Sequence, residues 1–220
     1  MNLRHILYMS AVLMCVSRGA SAASFINLDF EQANVPATPP NTFGTISVDP
    51  SLAFPGWTVP PNGSTYPTSV GYNTLSLGGP AVILMGPDFP NGPGYDPLQG
   101  NYSVLLQYFG IGNPPALSQT GLIPAGTTSI HMLGDAVVEI NGTVIPMSNG
   151  SGNVSAYAGQ TVQLTITTSD NATVNAPVWD YFDDIQFSQV PEPNVVSLAG
   201  VCGFFSVWLL KRRAEKQLMS

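Results

Sequence analysis

The sequence predicts an all-β body, a single antiparallel β-sandwich of jelly-roll type, carried between two targeting segments. Three observations point there. Apolar residues between positions 23 and 189 come in short runs rather than at helical spacing, and Gly, Pro, Asn, Ser and Thr separate the runs. The stretch AVVEI-NG-TVIPM joins two β-rich runs through Asn141-Gly142, a dipeptide that tolerates positive φ at both centres of a type I′ hairpin turn. In QTVQLTITT, Val162, Leu164 and Ile166 share one face while Thr161, Gln163 and Thr165 share the other, as in a half-buried strand.

Along the chain the further strand candidates are FINLDF at 25–30, TISV at 45–48, AVILM at 81–85, YSVLLQY at 102–108, LSQTGLI at 117–123, SIHML at 129–133 and WDYFDDIQF at 179–187. Two stretches break the rhythm. Residues 36–67 are rich in Pro, Asn and Thr, and GPDFPNGPGYDPLQG at 86–100 carries four prolines. Long loops on a rigid sandwich are where binding surfaces tend to sit.

The N-terminus reads as a secretory signal peptide over residues 1–22: Arg4, an apolar stretch from Ile6 to Val16, then the small residues Ala20-Ser21-Ala22 with cleavage after Ala22. The apolar stretch is 11 residues long, against about 20 for a spanning helix.

All six Lys and Arg lie outside the body, at Arg4, Arg18, Lys211, Arg212, Arg213 and Lys216, while eleven of the thirteen Asp and Glu lie within it. A body over residues 23–189 that is acidic and holds no basic side chain except His131 cannot neutralise phosphates, which argues against nucleic acid as a partner. Cations, neutral glycans and polar surfaces are the partners that fit. Cys15 and Cys202 also fall outside the body, so thiol chemistry and cysteine metal sites are excluded there.

If Ile185 and Phe187 face the core, strict alternation turns Asp183 inward as well. A buried carboxylate is costly unless paired, and with no Lys or Arg in the body a cation is the natural partner. The opening FINLDFE and the closing WDYFDDIQF resemble the first and last strands of the galactose-binding-like jelly rolls found in many carbohydrate-binding modules. That resemblance implies a structural calcium, with Glu31 and Asp183 or Asp184 as ligands and backbone carbonyls completing the six to eight oxygens that calcium takes.

Glycan would be held by an exposed aromatic face with a few polar groups, and Trp57, Tyr95 and Trp179 are the aromatic candidates, with Tyr66 and Tyr72 behind them. An enzyme has little to work with. His131 lies in a strand-like run without a nucleophile elbow, and a carboxylate-dependent glycoside hydrolase would need Asp135 with Glu139, or Asp88 with Asp96, facing across a cleft. The expectation is therefore a non-enzymatic body.

The segment 190–213 has three parts: Pro191-Glu192-Pro193, the uncharged run 195–210, and Lys211-Arg212-Arg213, followed by residues 214–220. The run is marginal for crossing a bilayer, and the basic cluster would hold 214–220 in the cytoplasm with the body outside. Two prolines keep the triplet extended and open to a protease at the membrane face. This order closely resembles the PEP-CTERM sorting signal of Gram-negative bacteria, which implies an exosortase-type membrane protease as partner, transient anchoring by a helix at 195–210, and export to the cell surface or extracellular polysaccharide. The function expected is thus an exported surface or matrix protein that binds glycan, with a purely structural matrix role and a small hydrolase as alternatives.

Overall fold

A computed structural model describes residues 23–36, 47–61, 68–75, 79–87, 89, 96–169 and 176–189. The signal peptide with Ala20 and Ala22, Tyr66, Asp88, Tyr95, and the sorting segment with Pro191, Glu192, Pro193, Lys211, Arg212 and Arg213 lie outside the described residues.

In chain order the described elements are a one-turn helix α1 (Pro50–Ala53) and strands β1 (Ser69–Tyr72), β2 (Ala81–Met85), β3 (Ser103–Tyr108), β4 (Ala116–Leu122), β5 (Thr127–Gly134), β6 (Val137–Ile140), β7 (Thr143–Val144), β8 (Met147–Ser148), β9 (Ser151–Asn153), β10 (Thr161–Thr167) and β11 (Val178–Gln189). They form a seven-stranded sheet in the order β1-β2-β3-β11-β5-β9-β8 and a four-stranded sheet in the order β4-β10-β6-β7. The two sheets share one core. Leu117, Val138, Ile140, Leu164 and Ile166 from the smaller sheet meet Val82, Leu84, Leu106, Ile130 and Phe182 from the larger one, all fully buried, and each such side chain contributes about 1.5–3 kcal/mol. The molecule is a β-sandwich, as its alternation predicts.

The hairpin at Asn141-Gly142 forms as read, with φ of 51° and 74° at the two turn residues. The alternation in β10 also holds, with Val162, Leu164 and Ile166 buried and Thr161 and Gln163 exposed.

Three expectations need correction. The larger sheet is mixed rather than antiparallel, because β1 runs parallel to β2, with Ser69 opposite Ala81 and Tyr72 opposite Leu84. Second, FINLDF is a turn and not a strand. Asn27 and Phe30 take φ of 50° and 57°, and the backbone of Ile26 is held at both ends by the Gln119 side chain instead of a ladder. Phe30 is still inside, packing edge-on against Phe182 and stacking on Trp57, whereas Ile26 is half exposed.

The third correction concerns alternation in β11. The strand bulges between Asp183 and Gln186, with Asp184 at φ 46°. The extra residue lets Phe182 and Ile185 both reach the sandwich core. Asp183 is fully buried, but on the opposite face of the sheet, beside Ser103.

That opposite face has an apolar layer of its own. Ala81, Ile83, Met85 and Leu105 form a second cluster there, with Leu75, Phe89, Trp179 and Tyr181 packed on it. The unbroken apolar run of AVILM follows from this, because β2 is buried on both sides.

Candidate functional site

The residues that precede β3 gather two carboxylates that are far from them in sequence. Glu31, on the opening turn, accepts from the Asn101 and Tyr102 N–H groups through Oε1 at 2.7 and 3.0 Å, and from Asn101 Nδ2 through Oε2 at 2.8 Å. Asp183, on β11, accepts from the Gln99 N–H at 3.1 Å and from Ser103 Oγ at 2.8 Å through Oδ2, while its Oδ1 takes the Asp184 N–H at 2.7 Å. Ser103 also fixes the same segment by accepting from the Leu98 N–H at 2.7 Å. A clasp results, in which the opening turn and the closing strand hold one loop between them.

The clasp has a demanding geometry at Gly100. Its φ is 61°, and a Cβ there would overlap Glu31 Oε1. Glycine meets both requirements. Burial pushes the Asp183 carboxyl up to about 6, against the opposing pull of hydrogen bonds from Ser103, Asp184 and Gln99.

Glu31 and Asp183, the calcium ligands implied by the jelly-roll resemblance, do reach the same loop. The groups aimed at them are N–H and O–H donors, whereas calcium takes six to eight oxygens and would need carbonyls turned inward. Asp184 points elsewhere, taking both of its bonds from Gln186 Nε2 at 2.9 and 2.8 Å. No group of three or more His, Cys, Asp or Glu side chains able to hold a metal is present among the described residues. In this arrangement the residues do not fit calcium; the buried charge is met by donors of the chain itself.

His131 sits between two hydroxyls, Ser129 Oγ at 3.1 Å from Nε2 and Ser151 Oγ at 2.7 Å from Nδ1. One ring nitrogen donates and the other accepts, which satisfies a neutral imidazole. Among the described residues no carboxylate bonds the ring, so they do not bring the parts of a Ser-His-Asp relay together.

Asp135 and Glu139 do not face each other across a cleft. Asp135 turns to the larger sheet, where its Oδ1 accepts from the Tyr181 N–H at 2.8 Å, while Glu139 lines the outer surface of the smaller sheet. The group beside Asp135 is Asp180, raised to about 6 by burial first and by the charge of Asp135 second. No local pattern marks that pairing, because it arises where the β5–β6 turn meets the start of β11.

Among the aromatic candidates Trp57 is a core residue. It is 6% exposed, stacked on Phe30 at 5.5 Å, and its Nε1 donates to the carbonyl of Asn27 at 2.9 Å. It offers no free face to a sugar. Tyr72 is buried as well. Trp179 is half-buried against the outer apolar layer, and its buried Nε1 has no hydrogen-bond partner among the described residues.

An open groove of about 690 Å³ runs over the outer face of the smaller sheet. Ser118, Glu139, Gln163 and Thr165 line it, with Pro60 at one side. Its polar groups follow from the alternation of β10: once Val162, Leu164 and Ile166 turn inward, Gln163 and Thr165 must turn out, where they share the lining with Val137, Val144 and Ala116. The sequence made that polar face legible but not its curvature, which depends on how residues 60–61 and 113–114 flank the sheet. Among the described residues no helix is long and apolar enough to cross a membrane. No protein-family model matches the chain, and no curated protein matches it.

Proposed function

We propose that this chain is an exported bacterial surface or matrix protein whose β-sandwich acts without catalysis and takes up neutral extracellular polysaccharide along the groove of its smaller sheet. The observation that carries the reading is the tail: Pro191-Glu192-Pro193, the uncharged run 195–210 and Lys211-Arg212-Arg213, paired with a signal peptide over 1–22. In this reading an exosortase-type membrane protease cuts at or near the triplet, and residues 195–210 anchor the chain until then.

The choice of ligand is supported by charge. A body with eleven carboxylates and no Lys or Arg repels uronic-acid, sulfated and phosphorylated polymers, whereas hydroxyl and amide groups such as Ser118, Gln163 and Thr165 suit neutral sugars. Affinity electrophoresis of residues 23–189 through gels holding neutral or uronic-acid polysaccharide tests this. Retardation by neutral polymer alone is expected; retardation by neither supports the second reading, a matrix protein without a specific ligand. That reading is favoured by one observation: among the described residues none of those lining the groove is aromatic.

A further inference from the structure

Both ends of the described sandwich leave from one pole of the molecule. Leu122 donates its N–H to the carbonyl of Ala23 at 2.9 Å, which sets residue 23 beside the end of β4. At the other terminus Gln189 pairs with Thr127, and its Nε2 donates to the carbonyl of Ala125 at 3.0 Å. Leu122 ends β4, Thr127 opens β5 and Ala125 lies in the turn between them, so Ala23 and Gln189 flank one turn. Segment 155–161 completes the pole, with the Gly159 N–H donating to the Ile123 carbonyl at 2.9 Å. Phe25 and Phe187 stack just inside it at 5.4 Å.

Among the described residues this pole carries no charge. Residues 23–25, 122–127, 155–161 and 187–189 include no Asp, Glu, Lys, Arg or His. Asp135 and Asp180 lie toward the opposite pole, where β5 ends and β11 begins. The carboxylate nearest the pole along β11, Asp184, is five residues before Gln189, about 16 Å at strand rise. That is roughly twice the screening length of about 8 Å at physiological salt.

The tether beyond Gln189 is short. One residue, Val190, precedes Pro191, and five residues, 190–194, precede the uncharged run at Val195. Fully extended, the steps from Gln189 to Val195 reach about 20 Å, while the twelve residues of β11 extend over about 35 Å. With 195–210 in a bilayer the domain cannot move one body length away from it. A signal peptide joined to Ala23 is tethered at the same pole.

We infer that this uncharged pole is the surface of the body that rests on lipid headgroups while the tail is anchored, with β11 leading away from the membrane and the carboxylates held off it. The inference rests on reading 195–210 as a membrane segment. An acidic domain approaching an anionic leaflet is repelled wherever its carboxylates lead; among the described residues this end leads with none, and the single acid between it and Val195 is Glu192 of the tether. Once cleavage follows Ala22, the new α-amino group at Ala23 adds a positive charge to the same pole.

The body has no cysteine, so site-specific labelling is clean. The chain from Ala23 to Ser220 with Cys202→Ser would receive single cysteines by Ala125→Cys and Ala156→Cys at the pole, and by Asn113→Cys in the loop at the opposite pole; all three sites are exposed. Each is labelled with bimane and reconstituted in phosphatidylethanolamine–phosphatidylglycerol vesicles containing a headgroup spin-labelled lipid quencher. Flotation is scored first. Quenching several-fold stronger at 125 and 156 than at 113 is expected. Equal quenching at all three sites, stronger quenching at 113, or no quenching at the pole overturns the inference, the last because these vesicles hold no protease for the pole to contact instead. Chains that fail to float overturn the membrane reading of 195–210 and the inference with it, before any quenching is read.

Discussion

The Glu31 carboxylate stands in the space that a Cβ on Gly100 would need, and Gly100 itself holds a φ of 61°. Two residues 69 positions apart therefore constrain each other. The opening turn cannot close on the loop in this geometry unless position 100 is glycine, and the Asn101 and Tyr102 N–H groups need an acceptor oxygen at position 31.

Gly100→Ala should accordingly cost about 2 kcal/mol or more, from left-handed strain plus displacement of Glu31. Gly126→Ala is the matched control, since its φ is 77° and nothing lies within 4 Å of the added Cβ; strain alone should cost about 1 kcal/mol. Urea unfolding of residues 23–189 measures both. Equal losses would remove the clasp from the account.

Stability should rise as pH falls from 8 to 5. Burial lifts the Asp183 carboxyl from the ordinary 3.8 to about 6, and burial with the charge of Asp135 lifts Asp180 likewise. A carboxyl whose folded pKa exceeds its unfolded value favours the fold when protonated, so this contribution is complete below about pH 4 and is lost as pH rises through 6. Thermal melts across that range should flatten in Asp183→Asn and in Asp180→Asn. Ser103→Ala removes a donor that lowers the Asp183 pKa, so it should destabilise by about 1–3 kcal/mol and move the pH transition upward. A melting temperature indifferent to pH in the parent protein would contradict the burial of these charges.

Calcium should leave the melting temperature unchanged, and so should a chelator. The Glu31 and Asp183 oxygens already receive six hydrogen bonds from donors of the chain. A rise of several degrees with calcium, reversed by chelator and absent in Glu31→Gln, would show that loop 97–103 turns its carbonyls inward to a cation.

Trp57→Ala and Glu139→Gln should separate stability from binding. The first empties a core site beneath Phe30 and should cost about 3–5 kcal/mol. The second changes a charge in an open groove and should alter stability by no more than about 0.5 kcal/mol while changing retardation in neutral polysaccharide. Urea melts and affinity electrophoresis of both variants provide the comparison.

Local rules carried much of the fold. Asn141-Gly142 announced its hairpin because positive φ at consecutive positions is rare outside such turns, and β10 announced its faces because one side meets water. What alternation could not show was the bulge at Asp184, which is set by how β11 meets β5 and moves Asp183 to the other face. FINLDF failed for a similar reason: Phe30 is buried and Ile26 is not, because the segment is a turn that Gln119 pins from a distant strand. Asp183 was recognisable as an inward carboxylate without a basic partner, and Glu31 only through the jelly-roll resemblance. Their actual partners, Gln99 to Ser103, were not, because backbone N–H groups carry no sequence signature.

The intact mass of the protein recovered from its native cells tests the central proposal most directly. Export and sorting predict a chain that begins at Ala23 and ends at or near Pro191-Glu192-Pro193. A mass that retains residues 194–220 would contradict processing of the tail.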